Sequence, residues 1–316
     1  MADEETKGGP AGASGAAHRC GVIAIIGAPN AGKSTLVNAL VGAKVTIISR
    51  KVQTTRIQIR GIAMEGASQL VLVDTPGIFA PKRRLDKAMV ASAWAGAADA
   101  DQVLVLVDAA KGLDEDIEGL LAKLAEGPAR KPILVLNKVD RVEDKGRLLA
   151  LVQDLSSRLA FDEVFMIAAL TGDGVAGLKR HLAARVPEGP WLYPEDELSD
   201  IPVRQLAAEV TREKIYDNLH DELPYQITVE TESWKTLRDK SVRIDQVIYV
   251  ERDSQKSIVL GKGGQTIKRI SQASRTELTG IVGAPVHLFL FVKVREGWDR
   301  DPERYREMGL EFPTED

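Results

Sequence analysis

At 316 residues, with 44% hydrophobic and 28% charged residues, the chain has ordinary globular composition and the length of two domains. Its net charge of −4 argues against a uniformly basic polyanion binder but leaves room for a local basic patch. The single cysteine, Cys20, excludes an intramolecular disulfide, and four scattered histidines argue against zinc, so a cytoplasmic protein is expected. No apolar run reaches the roughly 18 residues that span a bilayer.

Residues 1–19 are rich in Gly and Ala, carry Asp3, Glu4 and Glu5, and lack an apolar targeting core, so they read as a disordered tail. A first domain is expected over 20–186. Its opening strand, "GVIAII" at 21–26, runs into "GAPNAGKS": Gly27, Ala28, Pro29, Asn30, Ala31, Gly32, Lys33 and Ser34, then Thr35. Leu36, Val37, Leu40 and Val41 continue with helical spacing. A G-x-x-x-x-G-K-[ST] junction between strand and helix is a phosphate loop. The glycines let backbone N–H groups converge, and the helix dipole adds positive potential. Lys33 can reach the β and γ phosphates, and the Ser34 hydroxyl can ligate Mg²⁺.

"LVLVDTPG" at 70–77 reads as a buried strand ending in Asp74, a carboxylate suited to Mg²⁺ through a water. Thr75 and Pro76 lead to Gly77, whose N–H can bind the γ phosphate, and then to Ile78. "PILVLNKVD" at 132–140 ends in Asn137, Lys138 and Asp140. A carboxylate there accepts N1–H and the 2-amino group of guanine together, a donor pair that adenine lacks, so base choice follows. Further strands are expected at 56–62, 102–109 and 163–170. The fold class expected is α/β, a mostly parallel sheet with helices on both faces and the site at the strands' carboxyl ends.

Residues 187–202 hold four prolines and five acids with no helical or strand period, and read as an extended linker that Trp191 and Tyr193 pin to a neighbouring surface. A smaller α+β domain is expected over 203–300, followed by a tail over 301–316. Its order is helix, strand, strand, helix, "GKGG", helix, strand. Gly261, Lys262, Gly263 and Gly264 join two helices, so this turn is no nucleotide loop. The plan is that of a type II KH domain, whose GxxG turn clamps single-stranded RNA backbone. From 235 to 275 ten Lys/Arg stand against four acids. Lys256, Lys262, Lys268, Arg269 and Arg275 are the candidate phosphate contacts beside the three glycines.

These motifs together resemble the Era family of bacterial ribosome-assembly GTPases, over about Arg19 to Leu310, including "QTTR" at 53–56, "ELPYQITVE" at 222–230 and "APVHLFLFVKV" at 284–294. The resemblance implies that Thr55, 21 residues after Ser34, closes over Mg²⁺ and the γ phosphate. It implies a guanine-side loop at "AAL", Ala168, Ala169 and Leu170, in which the Ala169 N–H meets guanine O6 and the usual serine is missing. Lys33, Thr55, Gly77 and Asn30 are then the candidate catalytic set. Ile78 replaces the glutamine that orients water in Ras-like enzymes, and it cannot hydrogen-bond. Asn30 resembles the asparagine that holds K⁺ in some relatives with an apolar residue there; it can equally be a cap on the loop. The implied partners are GTP and GDP, the 3′ end of small-subunit ribosomal RNA and the small subunit. Peripheral association with the inner membrane is also implied, for a chain expected to be monomeric. A tRNA-modification GTPase shares "TTR" and the Asn-bearing loop but would need a further catalytic domain. An RNA-binding module with an inactive nucleotide domain conflicts with intact Lys33, Ser34, Asp74 and Asp140.

Overall fold

The computed structural model describes residues 17–313, apart from 50, 52–53, 82, 128–130, 221–222 and 298–300. Residues 1–16 of the expected tail, Gln53 of "QTTR" and residues 314–316 therefore lie outside the described residues. The first sheet contains β1 (Arg19–Ile26), β2 (Ile59–Glu65), β3 (Ser68–Asp74), β4 (Gln102–Asp108), β5 (Ile133–Asn137) and β6 (Val164–Met166). Their order is β2-β3-β1-β4-β5-β6, parallel except that β2 runs antiparallel to β3.

Near-continuous apolar strands are what a sheet covered on both faces requires, and every residue of β3 is buried. On one face lie α1 (Lys33–Val41) and α5 (Val175–Arg185), through Leu36, Leu40, Leu178 and Leu182. On the other lie α2 (Arg84–Ala98), α3 (Glu115–Ala125) and α4 (Gly146–Arg158), through Ala93, Leu121, Leu148 and Leu155. Each such leucine contributes about 1.5–3 kcal/mol by leaving water. The chain leaves β1 for β3 on one side and later places β4 on the other. That reversal opens a crevice at the carboxyl end of β1, where "GAPNAGKS" emerges.

The second unit comprises α6 (Val203–Asn218), β7 (Thr228–Thr236), β8 (Val242–Val250), α7 (Asp253–Leu260), α8 (Gln265–Val282) and β9 (Val286–Val294). In its sheet β7 pairs antiparallel and β9 parallel with β8. The element order matches the expectation from sequence. Ile215, Ile248, Val259 and Ile270 form one core cluster, and Leu206, Ile244, Leu278 and Leu288 another.

Several boundaries shift. Arg19 already belongs to β1, and its guanidinium donates to the Val186 carbonyl at 2.8 Å, so order begins before the expected boundary at residue 20. The strand expected at 163–170 shrinks to three residues, because Ala168 to Leu170 turn into a loop. The strand expected at 56–62 begins at Ile59. Residues 187–202 form no helix or ladder strand, yet they are strapped down. Trp191 Nε1 donates to the Ala67 carbonyl at 3.1 Å, and the Leu192 and Tyr193 amides donate to Gln69 Oε1 at 2.9 and 3.0 Å. The expected tail at 301–316 contains α9 (Pro302–Glu307); fully buried Tyr305 and Leu310 pack against Ala88 and Met89 of α2.

Candidate nucleotide and RNA sites

The loop between β1 and α1 is shaped by its glycines. Gly32 takes φ 102°, and a Cβ there would sit 2.3 Å from Asn137 Nδ2. Glycine alone reconciles that backbone with that neighbour. Lys33 is buried and donates to the carbonyls of Gly27 and Ala28, each at 3.0 Å. Burial pushes its ammonium down to about 8, with Asp74 pulling the other way.

Three hydroxyls converge on Asp74, which is fully buried at the end of β3. Its Oδ2 accepts from Thr46 Oγ1 at 2.7 Å, Ser34 Oγ at 2.8 Å and Thr55 Oγ1 at 3.5 Å. The Ser34 and Thr55 hydroxyls are 3.1 Å apart, and Asp74 Oδ1 is buried with no hydrogen-bond partner among the described residues. Burial raises the Asp74 carboxyl pKa, against hydrogen bonds that lower it. A compact set of hydroxyl and carboxylate oxygens, one orphaned, fits a hard divalent cation such as Mg²⁺. Sequence reasoning missed Thr46. Asn38 places it: Asn38 Oδ1 accepts from the Val45 and Thr46 amides, and Nδ2 donates to the Thr46 carbonyl. No spacing rule signals that contact.

The guanine-side residues also assemble. Asn137 Nδ2 donates to the Ala31 carbonyl at 2.9 Å, and Lys138 Nζ donates to the Asn30 carbonyl and to Asp108, each at 2.6 Å. Asp108 was not expected from sequence. The Ala169 amide donates to Asn137 Oδ1 at 3.0 Å. That bond ties the two loops together and keeps Ala169 on the cavity wall where guanine O6 was expected.

A cavity of about 950 Å³ joins these parts, a volume suited to a nucleotide. Pro29, Asn30, Gly32, Lys33, Ser34 and Thr35 line one side. Thr55 and Gly77 line it near Asp74, and Asn137, Lys138, Asp140, Ala169 and Leu170 at the base end. Gly27, Ala28, Ala31, Asp74, Thr75, Pro76, Ile78 and Ala168 are buried just outside that lining. Thr75 Oγ1 bonds the Ile25 carbonyl at 2.7 Å, and the Ile78 amide bonds the Gly27 carbonyl at 3.1 Å, so these two brace the loops. Tyr216 and Asp217 of α6 line the cavity unforeseen.

The second turn differs. Gly263 and Gly264 take φ 59° and 74°, and a Cβ on either would meet nothing within 4 Å. This bare backbone caps the N-terminus of α8, where phosphate is favoured. Lys262 in the turn and Lys268 and Arg269 in the first turns of α8 are exposed, Lys256 and Gly261 are half-buried, and Arg275, also exposed, lies about three helical turns further along α8.

A family profile described as 50S ribosome-binding GTPase matches residues 22–138, and one described as KH domain matches residues 222–299. The GTPase Era of Afipia carboxidovorans is 67% identical, covering 94% of this chain and 96% of its own. That of Brucella suis is 62% identical, covering 94% of each. Among solved structures, Era in complex with MgGDPNP and nucleotides 1506–1542 of 16S ribosomal RNA matches with a TM-score of 0.86 at 37% identity, covering 92% of this chain and 99% of that one. Aquifex aeolicus Era bound to GDP·AlF4⁻ matches with the same values. Identity at this level over nearly the whole length of both chains, with the same two units in the same order, means that the chain belongs to the Era GTPase family, enzymes that hydrolyse GTP and carry a C-terminal KH domain.

Proposed function

We propose that this GTPase uses its KH unit to bind near the 3′ end of small-subunit ribosomal RNA during assembly of the small subunit. The observation that carries this is the open Gly263–Gly264 turn at the start of a basic helix, in a chain whose P-loop and "NKVD" residues line one cavity. The related Era bound to 16S ribosomal RNA supports it. Crosslinking in cells followed by RNA sequencing tests it. Small-subunit rRNA 3′ ends are expected; recovery of tRNA would point to an RNA-modification GTPase instead.

In the proposed mechanism Lys33 places its charge at the β and γ phosphates. Ser34, Thr55 and Asp74 would hold Mg²⁺, which when bound would supply charge neutralisation for the phosphoryl oxygens. The Gly77 amide binds the γ phosphate, and Asp140 reads the guanine edge. Ile78, 6% exposed and packed into the core, offers the attacking water nothing. We assign Asn30, on the cavity wall at φ 62°, to hold K⁺. GTP turnover is then faster in K⁺ than in Na⁺ at equal ionic strength, and Asn30→Ala removes that difference. Equal rates in the two salts would eliminate the potassium site. A first unit that begins at Arg19 and runs to 186, a second over 203–300, a monomeric state and cytoplasmic residence complete the proposal. Among the described residues no helix is long and apolar enough to cross a membrane. Any peripheral contact with the inner membrane is checked by fractionation at low and high salt.

A further inference from the structure

Thr55 sits between two contacts that leave its own unit. On its N-terminal side, the Thr54 carbonyl accepts from Arg212 Nη2 of α6 at 2.5 Å. On its C-terminal side, Arg56 is 4% exposed and enters the KH unit. Its guanidinium donates to the carbonyls of Ile227 at 2.7 Å, Tyr225 at 2.9 Å and Pro224 at 3.4 Å, and to the Tyr216 hydroxyl at 3.3 Å. The planar fork of arginine suits several acceptors at once, which one ammonium cannot satisfy. Burial lowers the Arg56 pKa, so these acceptors are what hold its charge in place. Earlier in the same segment, Glu213 of α6 accepts from Lys44 at 2.7 Å and from the Ile48 amide at 2.7 Å.

Helix α6 therefore grips both neighbours of the hydroxyl that approaches Asp74. Its Tyr216 and Asp217 also line the nucleotide cavity. Its Leu206 shares a core cluster with Leu278 of α8, the helix that begins at the GKGG turn.

We propose that Arg56 is a positioning residue for GTP hydrolysis: anchored on the carbonyls of the KH unit, it fixes the backbone that presents Thr55 to the metal and the γ phosphate. This rests on the assignment of Thr55 above and goes beyond it, because it makes the docked KH unit part of the catalytic geometry. GDP has no γ phosphate for Thr55 to meet, so its affinity stands apart from this contact.

The test uses the full-length protein with Arg56→Ala, Arg56→Lys, Thr55→Ala and the Thr55→Ala/Arg56→Ala double variant. The kcat for GTP and the Kd for GDP are measured on one preparation of each. Arg56→Ala is expected to lower kcat by about tenfold to a hundredfold, the cost of a misplaced catalytic group, with GDP affinity held. Arg56→Lys is expected to recover part of that loss. The double variant is expected to be no slower than Thr55→Ala, since residues acting as one unit do not add. Wild-type kcat in Arg56→Ala beside a damaged Thr55→Ala overturns this inference alone. Fully multiplicative losses in the double variant overturn it too, showing Arg56 to be interdomain glue. Wild-type kcat in Thr55→Ala overturns the Thr55 assignment and this inference together. If Arg56→Ala loses GDP binding through misfolding, Arg56→Lys is judged by the same criterion: lower kcat with GDP affinity held supports it, and unchanged kcat overturns it.

Discussion

Two glycine-and-lysine turns stand in one chain, and their surroundings separate their chemistry. Gly27 to Ser34 joins a strand to a helix and is walled in: a Cβ on Gly27 would meet the Leu106 carbonyl at 2.3 Å, and Lys33 is buried. Gly261 to Gly264 joins two helices, and its Lys262 is exposed. The enclosed turn can recognise one phosphate chain of fixed shape in a cavity. The open turn can meet a polymer that enters from one side and leaves at the other. Glycine serves close packing in the first; in the second, Gly261 packs against Thr266 while Gly263 and Gly264 leave the backbone open, so similar motifs imply different ligands once their neighbours are known.

The largest expected effect separates the base pocket from everything else. Asp140→Asn should cost GTP about 2–3 kcal/mol by removing a charge-assisted acceptor pair. It should also favour xanthosine triphosphate, whose 2-oxo group replaces the amino donor. Competition between the two nucleotides measures this, and an unchanged preference for GTP would displace Asp140 from the base.

Alanine at the two turns sharpens the contrast. Gly32→Ala combines φ 102° with a clash against a pinned Asn137, and should weaken GDP binding by about 1–3 kcal/mol. Gly263→Ala meets only the backbone preference and should leave GDP affinity at the parent value. Titrations of both variants decide; equal losses would erase the distinction between the turns.

A smaller effect comes from Lys33. Its pKa is lowered to about 8, and phosphate binds the protonated form, so binding takes up a proton wherever the free lysine is neutral. GDP affinity should be flat below about pH 8 and fall above it, approaching about tenfold per pH unit, while Lys33→Arg should remove that component of the profile. If wild type and Lys33→Arg gave the same pH dependence, Lys33 would not be the titrating contact.

How much of this was legible in the sequence depends on how local each cause is. β9 occupies Val286–Val294, where "VHLFLFVKV" alternates, because alternation is a local property of one strand. The P-loop and the "NKVD" residues fall where their motifs place them, for the same reason. α9 was hidden because six residues carry too little periodicity; its order comes from Tyr305 packing on α2, far away in sequence. The bond from the Ala169 amide to Asn137 was not legible because the two lie 32 residues apart. Thr46 and Arg56 were missed or only half read for a similar reason: one depends on a loop held by Asn38, the other on the docking of two units.

The most direct test of two separate sites is Gly263→Asp. Nothing lies within 4 Å of a Cβ there, and aspartate tolerates positive φ better than most residues, so the fold should survive, as a thermal melt will check. The carboxylate should repel RNA phosphate at the turn. On one folded preparation, affinity for the rRNA 3′ end should fall at least about tenfold, about 1.4 kcal/mol, while GTP affinity stays at the parent value. RNA binding that survives, or GTP binding that falls with it, would contradict the division of labour between the two turns.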